Sequence, residues 1–139
     1  MKMARRTACE QAAVVPFRVR GGLVEVALIT TADKKRWILP KGWIDAGEEP
    51  EESALREAVE EAGLVGRVVG AALGYYEYAK ADGRRAVAVF LMRVTSVLES
   101  WPEDHRRRRW VPIDEAEEHV DGEDLRRVVQ RARRRLRRE

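Results

Sequence analysis

GWIDAGEEPEESALREAVEEAGL, residues 42–64, packs a glycine-bearing loop, a proline-started helix and a dense set of carboxylates into one run. Pro50 suits the first turn of a helix, where its missing N–H costs nothing, and Glu49, Glu51 and Glu52 suit the positive end of the dipole. Gly63 after Ala62 is a ready C-cap. Within the helix Ala54, Leu55, Ala58, Val59 and Ala62 form one apolar stripe, and at 100° per residue Glu57, Glu60 and Glu61 are expected to face roughly away from it. These three acids stand at i, i+3 and i+4, so they share a face, and Glu48 lies in the loop that leads in. Like charges at that spacing repel, so the grouping asks for a compensating cation. Arg56 lies among them and is expected to pair with Glu52 and Glu60 at i±4. The alternative is a merely solvated acidic face.

Working outward, Ala12 to Val19 is a buried-strand pattern in which Pro16 points to an edge or a bulge. Arg20-Gly21-Gly22 is turn chemistry, and Leu23 to Thr30 reads as the hairpin partner. Thr31 to Arg36 is a polar loop, and Trp37 to Pro40 a short strand that runs straight into Lys41-Gly42. Downstream, Leu64–Tyr78 and Arg84–Thr95 flank Ala81-Asp82-Gly83 as one long hairpin, and Arg108 to Ile113 adds a strand. Asp114 to Val120 makes a helical turn or two, and residues 121–138 an amphipathic basic helix with Leu125, Val128, Val129, Ala132 and Leu136 in its stripe. Strands interleaved with helices predict an α/β fold with a mixed sheet covered by helices.

A chain of 139 residues is expected to be one domain, with 1–10 as an N-terminal arm. Charged residues make up 37% of it, yet the net charge is only +3. Acids concentrate in Asp45–Glu61 and arginines in Arg106–Arg138. An acidic metal pocket beside a basic phosphate-holding surface is one reading of that polarity, and two solvated helix faces the other. The lone cysteine, Cys9, leaves no internal disulfide and suits a reducing cytoplasm. No apolar run approaches the ~20 residues that span a bilayer, and the basic start lacks an apolar signal core, so neither a membrane nor export is expected. The arginine-rich helix has its acids first and its arginines last, as the helix dipole prefers, and no aromatic residue among them to stack bases. Specific nucleic-acid binding is therefore not expected.

Carboxylates without histidine or cysteine partners are hard oxygen donors suited to magnesium or manganese rather than zinc, and His105 and His119 have no ligand spacing. Residues 42–48 have no Gly-Lys-Ser/Thr ending, which excludes a nucleotide P-loop. Gly42, five residues, Glu48, seven residues, then Arg56-Glu57-Ala58-Val59-Glu60-Glu61-Ala62-Gly63-Leu64 resembles the Nudix box throughout, with Ala58 where an aliphatic residue is usual. The elements around the box stand where a Nudix fold needs them.

That resemblance implies an α/β/α sandwich and a divalent-metal-dependent pyrophosphohydrolase cleaving a diphosphate linkage in a nucleoside diphosphate attached to another group. By position, Glu57, Glu60, Glu61 and the backbone carbonyl of Lys41 would hold Mg2+, with Mn2+ as the alternative. Arg56 would orient the glutamates, and Glu48 would support the loop or a metal-bound water. Some members use an acid outside the box, for which Glu103 and Asp104 are the candidates. Leu39-Pro40-Lys41-Gly42 resembles the members acting on dinucleoside polyphosphates and diphosphoinositol polyphosphates, and residues 97–101 and the arginines before Trp110 resemble the diphosphoinositol group. Cys9, Glu10 and Gln11 depart from the inositol group, which carries basic residues there; Ala79 and Lys80 depart from the ADP-ribose group, which has a proline. Substrate contacts are assigned to Lys41, Arg36, Arg106, Arg108, Tyr76 and Tyr78, the tyrosines as stacking surfaces or as strand residues. The expected partner is a small-molecule polyphosphate, and the protein a monomer or homodimer. The rival reading is a Nudix-fold nucleotide- or RNA-binding module without turnover.

Overall fold

The computed structural model describes residues 9–138. Of the expected arm, residues 1–8 lie outside the described residues; Glu10 is already in the ladder, its N–H donating to Ala86 O (3.1 Å) and its carbonyl accepting from Ile44 N (2.9 Å).

The first strand, β1 (Gln11–Arg20), forms a hairpin with β2 (Leu23–Thr30), but the two pair only from Phe17↔Val26 to Arg20↔Leu23. Beyond that they splay. Two very short strands fill the opening: β3 (Trp37–Ile38) pairs the far end of β2, and β4 (Lys41–Trp43) pairs Gln11–Ala13 of β1. Val14 N donates to Pro40 O (3.1 Å) in the same opening. Pro16 thus lies on a central strand, which corrects the edge-or-bulge expectation. It falls between the β4 and β2 pairings, where β1 has no partner on that side and a missing N–H removes no ladder bond.

On its other side β1 runs parallel to the long β7 (Gly83–Val97). The expected single hairpin is in fact two antiparallel partners sharing β7. Strand β6 (Gly74–Lys80) pairs residues 83–89 of it, and β5 (Leu64–Val68) pairs residues 92–97. Strand β8 (Arg108–Pro112) pairs the outer side of β2, completing an eight-stranded mixed sheet.

Helix α1 (Pro50–Ala62) covers one face of the sheet, while α2 (Ile113–His119) and α3 (Glu123–Arg138) cover the other, giving an α/β/α sandwich. The alternation along β1 and β7 explains this. Ala13, Val15, Phe17, Val87, Val89 and Leu91 pack toward α2 and α3; Ala12, Val14, Ala88, Phe90 and Met92 pack toward α1. On the α1 side the contact is built largely of alanines, Ala54, Ala58 and Ala62 against Ala12, Ala27 and Ala88, all fully buried. Side chains ending at Cβ let the helix lie close to the sheet. Helix α3 begins at Glu123 rather than at 121 because Asp121 serves the wedge: its carboxylate accepts from Trp37 N (3.0 Å) and its N–H donates to Trp37 O (3.0 Å).

Candidate active site

The wedge of β3 and β4 carries Lys41-Gly42 to the flank of α1. Helix α1 starts as the sequence predicts, with Glu52 accepting from Glu49 N (2.8 Å), and ends at Gly63, whose φ of 66° is the left-handed cap conformation. Its acids are not turned away from the buried stripe; they flank it. Glu57 is only 9% exposed, and a Cβ on Gly42 would fall onto its carboxylate. Glu61 accepts a hydrogen bond from Lys41 N (3.1 Å). Glu60, one position round the helix, is the most open of the three, with 41% of its side chain exposed.

Arg56 gathers the acids. Its guanidinium reaches Glu57 (2.9 Å), Glu48 (3.0 Å), Asp45 (3.2 Å) and Glu60 (3.4 Å), and donates to Trp43 O (3.1 Å). The expected pair with Glu60 forms. Glu52 is absent from the set because its carboxylate turns to Glu49 N at the helix start. Ser53 donates its hydroxyl to Glu48 (2.5 Å), so Glu48 is held from two sides. Hydrogen bonds from Arg56 and Ser53 keep the Glu48 carboxyl below its ordinary pKa. Glu57 goes the other way: burial raises its pKa, against the pull of Arg56. Burial pushes Glu61 up to about 7, opposed by the Lys41 amide and by Arg106. Two carboxylates are therefore held in a medium that resists their charge, the setting in which an added cation binds well.

Glu103 and Asp104 separate. Glu103 N donates to Glu60 O (2.9 Å), its carboxylate pairs with Arg106 (2.9 Å), and its charge acts on both Glu57 and Glu61. Asp104 sits in an exposed turn. Arg106 joins the cluster from the sheet side, at 3.8 Å from Glu61 and 2.9 Å from Thr30 O.

Beside the acids lies a cavity of about 410 Å³ that includes Arg36, Lys41, Tyr76, Tyr78, Lys80 and Asp124 in its lining. Four of the six substrate contacts expected from the sequence meet here. The Lys41 ammonium lies 3.1 Å from the Tyr78 hydroxyl and 3.5 Å from Gln11 Oε1, and Tyr78 donates to Gln11 Oε1 at 2.7 Å. Among the described residues Lys41 has no carboxylate partner. Tyr76 and Tyr78 do share a face, with ring centroids 6.4 Å apart, and both are partly packed against the core. Arg108 is elsewhere: its Nη1 donates to Ala62 O (2.8 Å) and its guanidinium stacks on Trp101 (4.2 Å). Gln11 and Ser53 contribute to this arrangement and carry no local pattern that marks them beforehand; Trp101 contributes as well, in a role its place in residues 97–101 does not reveal.

The arginines of α3 are mostly engaged within the fold. Arg131 donates to Leu73 O (3.0 Å) and Arg135 to Ala71 O (2.6 Å), while Arg133 pairs with Glu117 and Arg137 with Asp114 (both 3.3 Å). Among the described residues no helix is long and apolar enough to cross a membrane.

The residues present fit a hard divalent cation by donor type, since Glu57, Glu60 and Glu61 offer oxygen alone from one helix flank. Among the described residues no three acidic, histidine or cysteine side chains already converge on a point; the carboxylates face Arg56 and the Lys41 amide instead.

The NUDIX domain matches residues 10–132. The chain is 36% identical to Nudix hydrolase 21, chloroplastic, of Arabidopsis thaliana over 84% of its own length and 62% of that protein's. It is 38% identical to diphosphoinositol polyphosphate phosphohydrolase 3-alpha of Mus musculus over 66% of its own length and 57% of the relative's. The chain thus spans about three-fifths of these relatives. Among solved structures it is similar to a C. elegans Ap4A hydrolase in a binary complex, with a TM-score of 0.81 at 20% identity, covering 95% of this chain and all of that one. The matched span takes in the sheet, α1 and the wedge, and so the chain belongs to the Nudix family.

Proposed function

We propose that this protein is a divalent-metal-dependent pyrophosphohydrolase that cleaves a diphosphate linkage in an extended polyphosphate, a dinucleoside polyphosphate or a diphosphoinositol polyphosphate. One observation carries the reading: Lys41 belongs to both halves of the site. Its N–H fixes Glu61, while its ammonium lines a cavity shared with Arg36 and Lys80. The acids and the cationic cavity are thereby adjacent, and about 410 Å³ is room for a nucleoside or an inositol moiety.

In this reading Glu57, Glu60, Glu61 and the Lys41 carbonyl hold the cation, Mg2+ or Mn2+, which supplies Lewis acidity to the diphosphate when bound. Arg56 keeps the carboxylates from repelling one another apart, and Glu48, held by Ser53, anchors Arg56. Lys41 and Arg36 bind phosphate oxygens beyond the scissile linkage, and Tyr76 or Tyr78 takes the apolar face of the attached group. Glu103, whose charge reaches Glu57 and Glu61, accepts the proton of the attacking water. Water adds to phosphorus, the bridging P–O bond breaks, and two phosphate-bearing fragments leave.

We place this activity in the cytoplasm, in a single domain working as a monomer or homodimer on small molecules. Support against specific nucleic-acid binding comes from α3, where Arg131, Arg133, Arg135 and Arg137 are engaged with Glu117, Asp114 and the carbonyls of Val69, Ala71, Ala72 and Leu73. The test is a magnesium-dependent hydrolysis screen over dinucleoside polyphosphates, diphosphoinositol phosphates, sugar nucleotides and nucleoside triphosphates. Turnover that drops by orders of magnitude in Glu60→Gln and Glu61→Gln, with the fold intact, supports the reading. No turnover of any substrate, with tight RNA binding, replaces it with a binding module.

A further inference from the structure

Glu60 and Glu61 stand on the last turn of α1, where helix carbonyls run out of intrahelical donors and the backbone frays. Here those carbonyls are taken up in succession. Val59 O accepts from Gly63 N (3.0 Å), the ordinary closure of the cap. The next four are met by a segment some forty residues downstream. Glu60 O accepts from Glu103 N (2.9 Å), Glu61 O from the indole Nε1 of Trp101 (3.0 Å), Ala62 O from Arg108 Nη1 (2.8 Å), and Gly63 O from Leu98 N (2.8 Å). The two side-chain donors also stack on each other, and a Cβ on Gly63 would meet Trp101 at 2.7 Å and Arg108 at 2.8 Å.

We infer that Trp101 and Arg108 are positioning residues for the metal-holding carboxylates, acting through the main chain at the end of α1. The inference rests on the metal reading given above. Residues 98–108 form a tertiary C-cap that fixes the two α-carbons bearing Glu60 and Glu61, and the same segment brings the Glu103 carboxylate to them. Both donate to main-chain carbonyls, and neither is among the residues that line the cavity. Arg108, expected from the sequence to meet phosphate, is instead spent on the helix end, where its cationic head also suits the negative pole of the dipole.

The test uses the full chain with Trp101→Phe, which keeps the ring under Arg108 and removes the N–H, and Arg108→Met, which keeps the aliphatic stem and removes the donor. Mn2+ affinity is measured by titration, with KM for the preferred polyphosphate at saturating metal. Mutations that loosen groups orienting metal ligands typically weaken binding by roughly tenfold or more. A rise of that size in the Mn2+ Kd of both variants, largely restored in Arg108→Lys and with KM little changed, is the expected result. A lowered Tm with the Mn2+ Kd of the wild type would overturn the inference, because a purely structural role predicts that pattern. If Trp101→Phe does not fold, Arg108→Met alone decides. Should the wild type bind no Mn2+, the metal reading fails, and amide exchange at residues 60–64 then judges the cap. Faster exchange confined to that turn in the variants supports it; an unchanged pattern overturns it.

Discussion

Gly42 and Glu57 share one volume: the place where any other residue at 42 would put its Cβ is filled by the Glu57 carboxylate. The box glycine is therefore favoured by close approach to the Glu57 carboxylate rather than by backbone conformation. Gly42→Ala is expected to displace Glu57 from Arg56 and to lower stability by about 1–3 kcal/mol, the usual result of overpacking. Mn2+ titration and urea unfolding check this. A variant that binds Mn2+ as the wild type does would show that Glu57 has room to move without loss.

Arg56 is the counter-charge for four carboxylates, of which Glu57 is mostly shielded from water and Glu48 partly so. Arg56→Lys supplies one compact ammonium in place of a fork, and it leaves several of these contacts unmade. In the presence of a chelator the unfolding free energy should fall by roughly 2 kcal/mol, as for lost hydrogen bonds between charged groups. Millimolar Mg2+ should recover part of that loss, because a cation held by the same carboxylates replaces the missing charge. Thermal unfolding with and without Mg2+ reads both effects.

Gln11 holds the Tyr78 hydroxyl and the Lys41 ammonium without neutralising the lysine. Gln11→Glu keeps the shape and adds the charge. The KM for a polyphosphate should rise about tenfold, equivalent to some 1.4 kcal/mol of lost attraction, with a smaller change in kcat. An unchanged KM would remove the Lys41 ammonium from substrate binding.

Arg135 and Arg131 fasten α3 to the carbonyls of Val69, Ala71, Ala72 and Leu73. Arg135→Met should cost about 1 kcal/mol of stability, since the exposed carbonyl of Ala71 and the half-buried ones of Val69 and Ala72 lose a charged donor. Hydrolysis at a temperature where the variant remains folded should match the wild type, as Arg135 belongs neither to the acid cluster nor to the lining of the cavity. A fall in kcat for the folded variant would show that the C-terminal half of α3 also bears on the active machinery.

The parts of this fold legible in the sequence are those fixed by neighbours along the chain. Helix α1 is bounded by Pro50 and Gly63, whose constraints are local, and the β6–β7 turn by Asp82-Gly83. The spacing of Glu57, Glu60 and Glu61 placed them on one flank for the same reason. What the pattern hid is long-range. That β5 and β6 are separate partners of β7 depends on where the chain detours at residues 69–73, held there by arginines more than fifty residues away. Pro16 looked like an edge because a proline removes a donor, and only the gap between β4 and β2 explains its central position. The 100° wheel counts polarity and so turns the acids outward, whereas Glu57 is buried against the bare α-carbon of Gly42, on another element. Trp101 and Arg108 carry no spacing relation to α1 at all.

The sequence pI of about 9.3 takes on a different meaning once α3 is seen in place. Guanidinium groups are the chain's fasteners: they tie a helix to a loop, a loop to a helix end and a glutamate cluster to itself. Basicity of this kind is an account of internal carpentry, and bulk isoelectric behaviour in a protein so assembled is no guide to the charge of what it meets.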